Sequence, residues 1–293
     1  MNEIKNCPIC NHDAFEHYLD VTDNMITKEE FKIVECKNCS FRFTNPIPEL
    51  SEIGRYYKSE DYVSHSSTDK GIMNKLYQKV RKKTLKEKRD LLELVAQPTS
   101  ILDIGCGTGH FLKYLNQFDY KLLGLEPDDD ARKFAKESGV NVEPLDQLHL
   151  LENNSWDAIT MWHVLEHVYE LQKDFKKFVE LLVPGGYLFV AVPNHNSFDA
   201  KHYGEKWAAY DVPRHLYHFR EKDIERLAKS FNMSLEKIVP MRFDSYYVSM
   251  LSESYIDGSK VKAFLNGRKS NKNADKLGYS SQIYVLKSKV LYL

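Results

Sequence analysis

The sequence predicts an α/β fold, a doubly wound and mostly parallel sheet, preceded by a small metal-bound module. Three observations carry that expectation. The first is the run ILDIGCGTGH at residues 101–110. There an apolar, β-prone segment ends in three alternating glycines, and a helical pattern follows. The second is the alternation downstream of short apolar runs with helical patterns, the signature of parallel strands joined by crossover helices. The third is a pair of C-x-x-C motifs near the amino terminus, Cys7/Cys10 and Cys36/Cys39.

The chain's 293 residues accommodate one large domain or a main domain with an appendage, and a hydrophobic share of 42% is ordinary for a protein with a sizeable core. The formal net charge of -1 gives no global basic field to recruit nucleic acid or an anionic membrane. No apolar run approaches the ~18 residues that a membrane span needs, and residues 1–5 do not begin a signal peptide. The expectation is a cytoplasmic protein without a membrane span.

In a reducing compartment paired cysteines bind metal more often than they form disulfides. Each C-x-x-C places two thiolates on one side of a tight turn, and two turns close a tetrahedral S4 site. The metal ligands are therefore Cys7, Cys10, Cys36 and Cys39, on a zinc-ribbon-like module over residues 1–48 with short strands near 16–20 and 31–35. Four thiolates leave no open position, so the metal is expected to be structural Zn2+, with iron as the alternative ion. His12 and His17 are left as surface residues.

Residues 49–98 read as a linker and helical cap. The segment 51–69 is polar and tyrosine-rich (Tyr56, Tyr57, Tyr62) and could fold over the main domain. Residues 71–97 are helical, with Ile72, Leu76, Val80, Leu85, Leu92 and Val95 as the apolar positions and Pro98 as the stop. The helix carries Lys79, Arg81, Lys82, Lys83, Lys86, Lys88 and Arg89. A solvated face is the expected reading, and a phosphate- or RNA-binding surface is the alternative.

The glycine turn narrows its own ligand. A dinucleotide fingerprint needs a glycine at position 110, where this chain has His110, and a phosphate loop needs a Lys-Ser/Thr pair that is absent. Asp103, ahead of the glycines, suits a cationic, phosphate-free ligand. Glu126 follows 23 residues later at the end of an apolar run, near the spacing at which a doubly wound fold presents an acid to both ribose hydroxyls.

Residues 101–110 resemble motif I of the class I S-adenosylmethionine (SAM) methyltransferases. GLEP at 124–127, HVLEHV at 163–168 and LVPGG at 182–186 match further segments of that family, in the same order. The resemblance covers residues 100–240, close to half the chain. It implies a seven-stranded sheet with one antiparallel strand, residues 237–240 and 281–288 supplying the sixth and seventh strands. It implies SAM as co-substrate, held by Asp103, Gly105, Cys106, Gly107 and Gly109, by Glu126 and Pro127, by Asp146 with Gln147 near adenine, and by Trp162 and His163 beside the donor.

The methyltransferase domain is then 99–293, with acceptor-binding insertions at about 194–219 and 241–279. Candidate catalytic groups are His163, His167 and His215, with Glu166 beside them. Arg214 is expected to clamp an acceptor carboxylate or phosphate, His195 is a second candidate base, and the polar stretch 267–275 reads as mobile. Segment 163–168 also resembles ubiquinone-pathway O-methyltransferases that use carboxylates there for magnesium. His163 replaces one such acid, so that metal is not carried across.

The resemblance implies methyl transfer from SAM to a small-molecule acceptor, either a sugar or polysaccharide precursor or a quinone-like metabolite, by O- or C-methylation. Sugar C-methyltransferases likewise join a four-cysteine module to such a core. The alternatives are an RNA methyltransferase gripping substrate with the ribbon and basic helix, and a non-enzymatic SAM-binding module. The Asn/Asp-Pro-Pro-Tyr motif of exocyclic-amine chemistry is missing at residues 161–164, which disfavours the RNA reading.

Overall fold

The computed structural model of the chain describes residues 1–57 and 72–289, with backbone alone for 72–77. Tyr62 and the side chains of Ile72 and Leu76 lie outside the described residues. The amino-terminal module contains β1 (Phe15–Thr22), β2 (Glu30–Cys36) and β3 (Arg42–Thr44) in an antiparallel ladder. The β1–β2 turn is built on Asp23, whose carboxylate accepts from the backbone N–H groups of Met25, Ile26 and Thr27 at 2.8–3.2 Å. Such self-capping by an aspartate organises a turn without apolar support.

The helical cap is α1 (Ile72–Val95), which leads into β4 (Ser100–Ile104). The main domain continues through α2 (His110–Leu115), β5 (Lys121–Glu126), α3 (Asp129–Glu137), β6 (Val142–Pro144) and β7 (Trp156–Trp162). Then come α4 (Leu171–Leu181), β8 (Leu182–Pro193), α5 (Phe198–Tyr203), β9 (Tyr217–His218), α6 (Glu221–Ser230) and β10 (Met233–Pro240). The chain closes with α7 (Asp244–Ser254), α8 (Lys260–Lys272), α9 (Ala274–Leu277) and β11 (Ser281–Ser288).

The central sheet has the order β10-β11-β8-β7-β4-β5-β6. Only β11 runs against its neighbours, pairing antiparallel with both β8 and β10. The seven-stranded, mostly parallel sheet is the expected one. Its central strands are buried on both faces, which is why β4 and β8 read as near-continuous apolar runs. Helix α4 buries Leu171, Phe175, Phe178 and Leu181, a single stripe against the sheet.

The expected boundary at residue 48 does not interrupt the packing. Strand β3 pairs with β9 of the later insertion, Arg42 opposite His218 and Phe43 opposite Tyr217, so the module's sheet has four strands. Phe41 contacts Phe43, Tyr217 and Phe219, with ring centroids 5.5–6.1 Å apart. Cys7, Ile9, Cys36, Phe41 and Phe43 belong to one apolar cluster with the central sheet.

Between β7 and α4, His163 has a positive φ of 59° and Leu165–His167 form a single 3-10 turn. One local expectation changes. The stretch 267–275 lies largely within α8, packed through Gly267 and Ser270.

Candidate functional site

The carboxyl-terminal edge of the parallel strands gathers the residues expected to hold the donor. Asp103 is almost fully buried and accepts from Thr160 Oγ1 at 2.6 Å. At Gly105, φ is +65° and a Cβ would lie 2.5 Å from Val164 Cγ2, so only glycine lets the turn approach the 163–164 segment. Gly107 also has a positive φ, +54°, and its side faces open space. Its N–H donates to Glu126 Oε2 at 2.7 Å, while Glu126 Oε1 accepts from the Asp128 N–H at 3.0 Å. The loop and the second carboxylate are therefore fixed to each other before any ligand arrives.

Burial lifts Asp103 to about 7, against the lowering effects of the Thr160 hydrogen bond and the Lys88 charge. Burial likewise raises Glu126. Gly109 closes the turn as the residue before α2. The Cys106 thiol packs against Gly124, where an added Cβ would meet Sγ at 2.5 Å, so the side chain fills space behind the loop. Pro127 is exposed at the edge, and Asp146 is exposed two residues beyond Pro144, which pairs with Glu126.

Trp162 ends β7, with its ring edge-on to Phe111 at 5.5 Å. Lys88 from α1 lies over the Trp162 ring, Nζ 4.1 Å from the centroid. Burial lowers the Lys88 ammonium to about 8, with Asp103 and Asp244 opposing. Lys88 is thus a site residue that the basic run concealed. Its signal was positional: it stands three residues after Leu85 and four before Leu92, on the apolar stripe of α1. Lys83 and Lys86 of the same run behave as a solvated face, paired at i,i+4 with Glu87 and Asp90.

Next to Trp162 the three nominated histidines surround Glu166, which is fully buried. Glu166 Oε1 stands 3.3 Å from His163 Nδ1 and 4.0 Å from His215 Nε2. His163 Nε2 lies 3.0 Å from Asp244 Oδ2, so both of its ring nitrogens face carboxylates. Packing alone would lower its pKa, but the bonds to Asp244 and Glu166 outweigh that and lift it to about 10. His163 is accordingly an imidazolium and not the free base anticipated for it. Asp244 lies in the second insertion, expected to line the acceptor site, but nothing in the sequence signalled its pairing with His163.

His167 Nδ1 lies 3.0 Å from the Arg214 carbonyl, and His215 Nδ1 lies 2.9 Å from the Ala209 carbonyl. A carbonyl only accepts, so each Nδ1 donates there, with the Tyr57 hydroxyl also 3.0 Å from His167 Nδ1, and in the neutral ring this tautomer puts the lone pair on Nε2. Burial lowers His167 to about 4, keeping it neutral. Burial alone would raise Glu166, but its bond to His163 and that ring's positive charge hold it below the usual range. One ligand atom each from Glu166, His167 and His215 lies within 4.8 Å of the others, a set that could also hold a divalent ion.

Two expectations in the 194–219 insertion are corrected. Arg214 does not face an acceptor. Its Nη2 donates to Asp23 Oδ1 at 2.9 Å and Asp211 Oδ1 at 2.6 Å, Nε donates to Asp211 Oδ2 at 3.0 Å, and Nη1 donates to the Tyr56 carbonyl at 2.7 Å. The guanidinium is buried and its donors are used within the chain. His195 is buried apart from the cluster, with Nδ1 3.0 Å from Arg42 Nη1. Burial and the charges of Arg42, His218 and Arg220 push it well below its ordinary value.

The four cysteines converge. Cys7 and Cys39 sulfurs are 3.5 Å apart, those of Cys10 and Cys36 are 3.6 Å apart, and all four lie within 4.8 Å. A tetrahedral S4 site with bonds of ~2.3 Å has sulfur–sulfur edges of about 3.8 Å, so the spacing fits zinc. The two knuckles repeat one turn: Asn11 N–H donates to the Cys7 carbonyl and Ser40 N–H to the Cys36 carbonyl, with positive φ at Asn11 and Ser40.

Residues 75–238 match the family described as "Methyltransferase domain". Among curated proteins, the chain is 29% identical over 152 residues to a ubiquinone biosynthesis O-methyltransferase of Bordetella avium, covering 48% of this chain and 63% of that protein. It is 24% identical over 158 residues to the ubiquinone biosynthesis O-methyltransferase of Nitrosospira multiformis, covering 49% and 66%. The chain thus spans just under two thirds of the length of these two relatives. Among solved structures, the magnesium protoporphyrin IX methyltransferase of Synechocystis PCC 6803 with bound SAH superposes with a TM-score of 0.56 at 12% identity, over 82% of this chain and all of that one. That likeness is one of fold.

Proposed function

The chain belongs to the methyltransferase-domain family, matched over residues 75–238, and from that premise we propose that it transfers a methyl group from SAM to a hydroxyl of a small-molecule acceptor. The observation that carries this reading is the buried Glu166, ringed by His163, His167 and His215 beside the glycine loop. The naming of its relatives as O-methyltransferases favours oxygen as the nucleophile.

In the proposed reaction the acceptor oxygen attacks the methyl carbon, the carbon–sulfur bond breaks, and the sulfonium becomes a neutral thioether. Asp103 faces the cationic end of the donor, Glu126 takes the ribose hydroxyls, and Asp146 lies toward adenine. The Nε2 lone pair of His167 or His215 accepts the acceptor's proton. His163, held cationic by Asp244 and Glu166, orients the cluster and donates hydrogen bonds. The four-cysteine site carries structural zinc, since four thiolates leave no open position.

The test is incubation of the full chain with methyl-labelled SAM and a fractionated small-molecule extract, with an RNA fraction alongside. Label is expected in an organic small molecule, and His167→Ala with His215→Ala is expected to lower turnover by roughly 10²–10⁴-fold while SAM still binds. Label entering RNA instead, or unchanged turnover in the histidine variant, overturns the reading.

A further inference from the structure

The hairpin of α7 and α8 is turned inside out. The inward stripe of α8 is Ala263, Asn266, Gly267 and Ser270, all buried. It is held by hydrogen bonds and close approach instead of apolar side chains. Asn266 Nδ2 donates to Tyr203 Oη at 3.0 Å and Glu253 Oε1 at 3.1 Å, and Ser270 Oγ donates to Asp199 Oδ1 at 2.6 Å. A Cβ on Gly267 would lie 2.8 Å from Tyr246 Cδ1. Helix α7 likewise buries Ser245, Ser249 and Ser252 beside Val248.

Val248, Leu251 and Tyr255 pack inward, but most of the large apolar side chains of the same hairpin point outward. Met250, Ile256, Val261, Phe264 and Leu265 are 43–69% exposed. An ordinary surface helix does the reverse. Single exposed apolar residues are commonplace, but five on one hairpin whose interior is largely small and polar mark a surface that meets something. Phe264 packs its ring against Tyr246 of α7, centroids 5.3 Å apart, which joins the outward sides of the two helices.

Charge identifies the occupant. Across the hairpin, residues 244–272, the chain carries five exposed cations, Lys260, Lys262, Arg268, Lys269 and Lys272, against Asp257, the buried Glu253 and Asp244, which is paired with His163. A second copy docking through a two-fold axis would set this cationic surface against itself. An anionic bilayer surface accepts both parts: the apolar side chains enter the acyl boundary and the cations meet phosphate headgroups.

We propose that the α7–α8 hairpin docks on lipid surfaces bearing anionic headgroups. The local cluster does this in a chain whose net charge is -1. Helix α7 begins at Asp244, the partner of His163, so the hairpin is tied at its start to the histidine cluster.

The experiment is co-sedimentation of the full chain with phosphatidylcholine vesicles and with vesicles containing phosphatidylglycerol, alongside sedimentation velocity of the protein alone. Binding is expected to the anionic vesicles only and to weaken with salt. Phe264→Ser with Leu265→Ser, and separately Lys262→Glu with Lys269→Glu, should each lower partition by about tenfold or more. No binding to anionic vesicles, or binding indifferent to both variants, overturns the proposal. So does a wild-type dimer that the Phe264/Leu265 variant dissociates, which makes the occupant a second copy. None of these readouts depends on methyl transfer, so the proposal stands or falls apart from the assigned activity.

Discussion

Arg214 of the second half of the chain donates to Asp23 of the amino-terminal module at 2.9 Å across 191 residues of sequence, and both side chains are buried. Asp211 and the Tyr56 carbonyl complete the ring around the guanidinium. Asp23→Asn leaves Arg214 still paired with Asp211 and weakens only the charge-assisted hydrogen bonds to Asp23, so the unfolding free energy should fall by about 1–3 kcal/mol in denaturant melts. No measurable loss would mean that Asp211 alone satisfies the guanidinium.

Asp103, lifted to about 7 by burial, makes donor binding depend on pH. A cationic ligand selects the ionised carboxylate, so affinity falls as pH drops below 7. At pH 7 binding should release about half a proton, seen as a dependence of calorimetric heat on buffer ionisation enthalpy. Asp103→Asn should abolish that release. Identical heats in phosphate and Tris buffers rule the linkage out.

His163 links stability to pH in the opposite direction. Its pKa rises from 6.5 to about 10 on folding, so its charge contributes stability that is fully present below 6.5 and disappears as pH climbs through 10. The ring is 35% exposed, and solvent screening reduces the pH-dependent part to on the order of 1 kcal/mol. The stability deficit of His163→Gln relative to the parent chain should be larger at pH 6 than at pH 10. An equal deficit at both would show that the imidazole is neutral throughout.

The four cysteines tie metal content to the join between module and core. Cys36→Ser should abolish bound metal at this site and lower the melting temperature by roughly 5–10 °C. Because β3 pairs with β9, amide exchange should quicken at Tyr217 and His218 as well as near the knuckles. Exchange that changes only in residues 1–48 would mark the module as independent.

The sheet could be read from the chain because its central strands are largely apolar and the glycines at 105, 107 and 109 permit the positive-φ turn that ends the first of them. Two members of the histidine cluster were visible for the same reason, since HVLEHV follows a strand directly. Arg214 was misread because an arginine among aromatics looks the same whether it faces a ligand or a distant carboxylate. Its deciding partner, Asp23, lies in another part of the sequence. Residues 267–275 looked unstructured because Gly, Ser and Asn have low helix propensity. Tertiary contacts on Tyr246 and Asp199 hold them helical instead.

The shared sheet also sets an order of events in the cell. Thr44 bonds the carbonyl of His215, 171 residues later, just before the strand that pairs with β3. At ~5–20 residues per second, a ribosome takes on the order of ten seconds or more to supply that strand. Until then the outer edge of β3 lacks its partner, and such edges invite pairing with other chains. The module is thus made well before its last strand partner, and in the meantime the β1–β2 ladder and metal held by the four cysteines are what can order it.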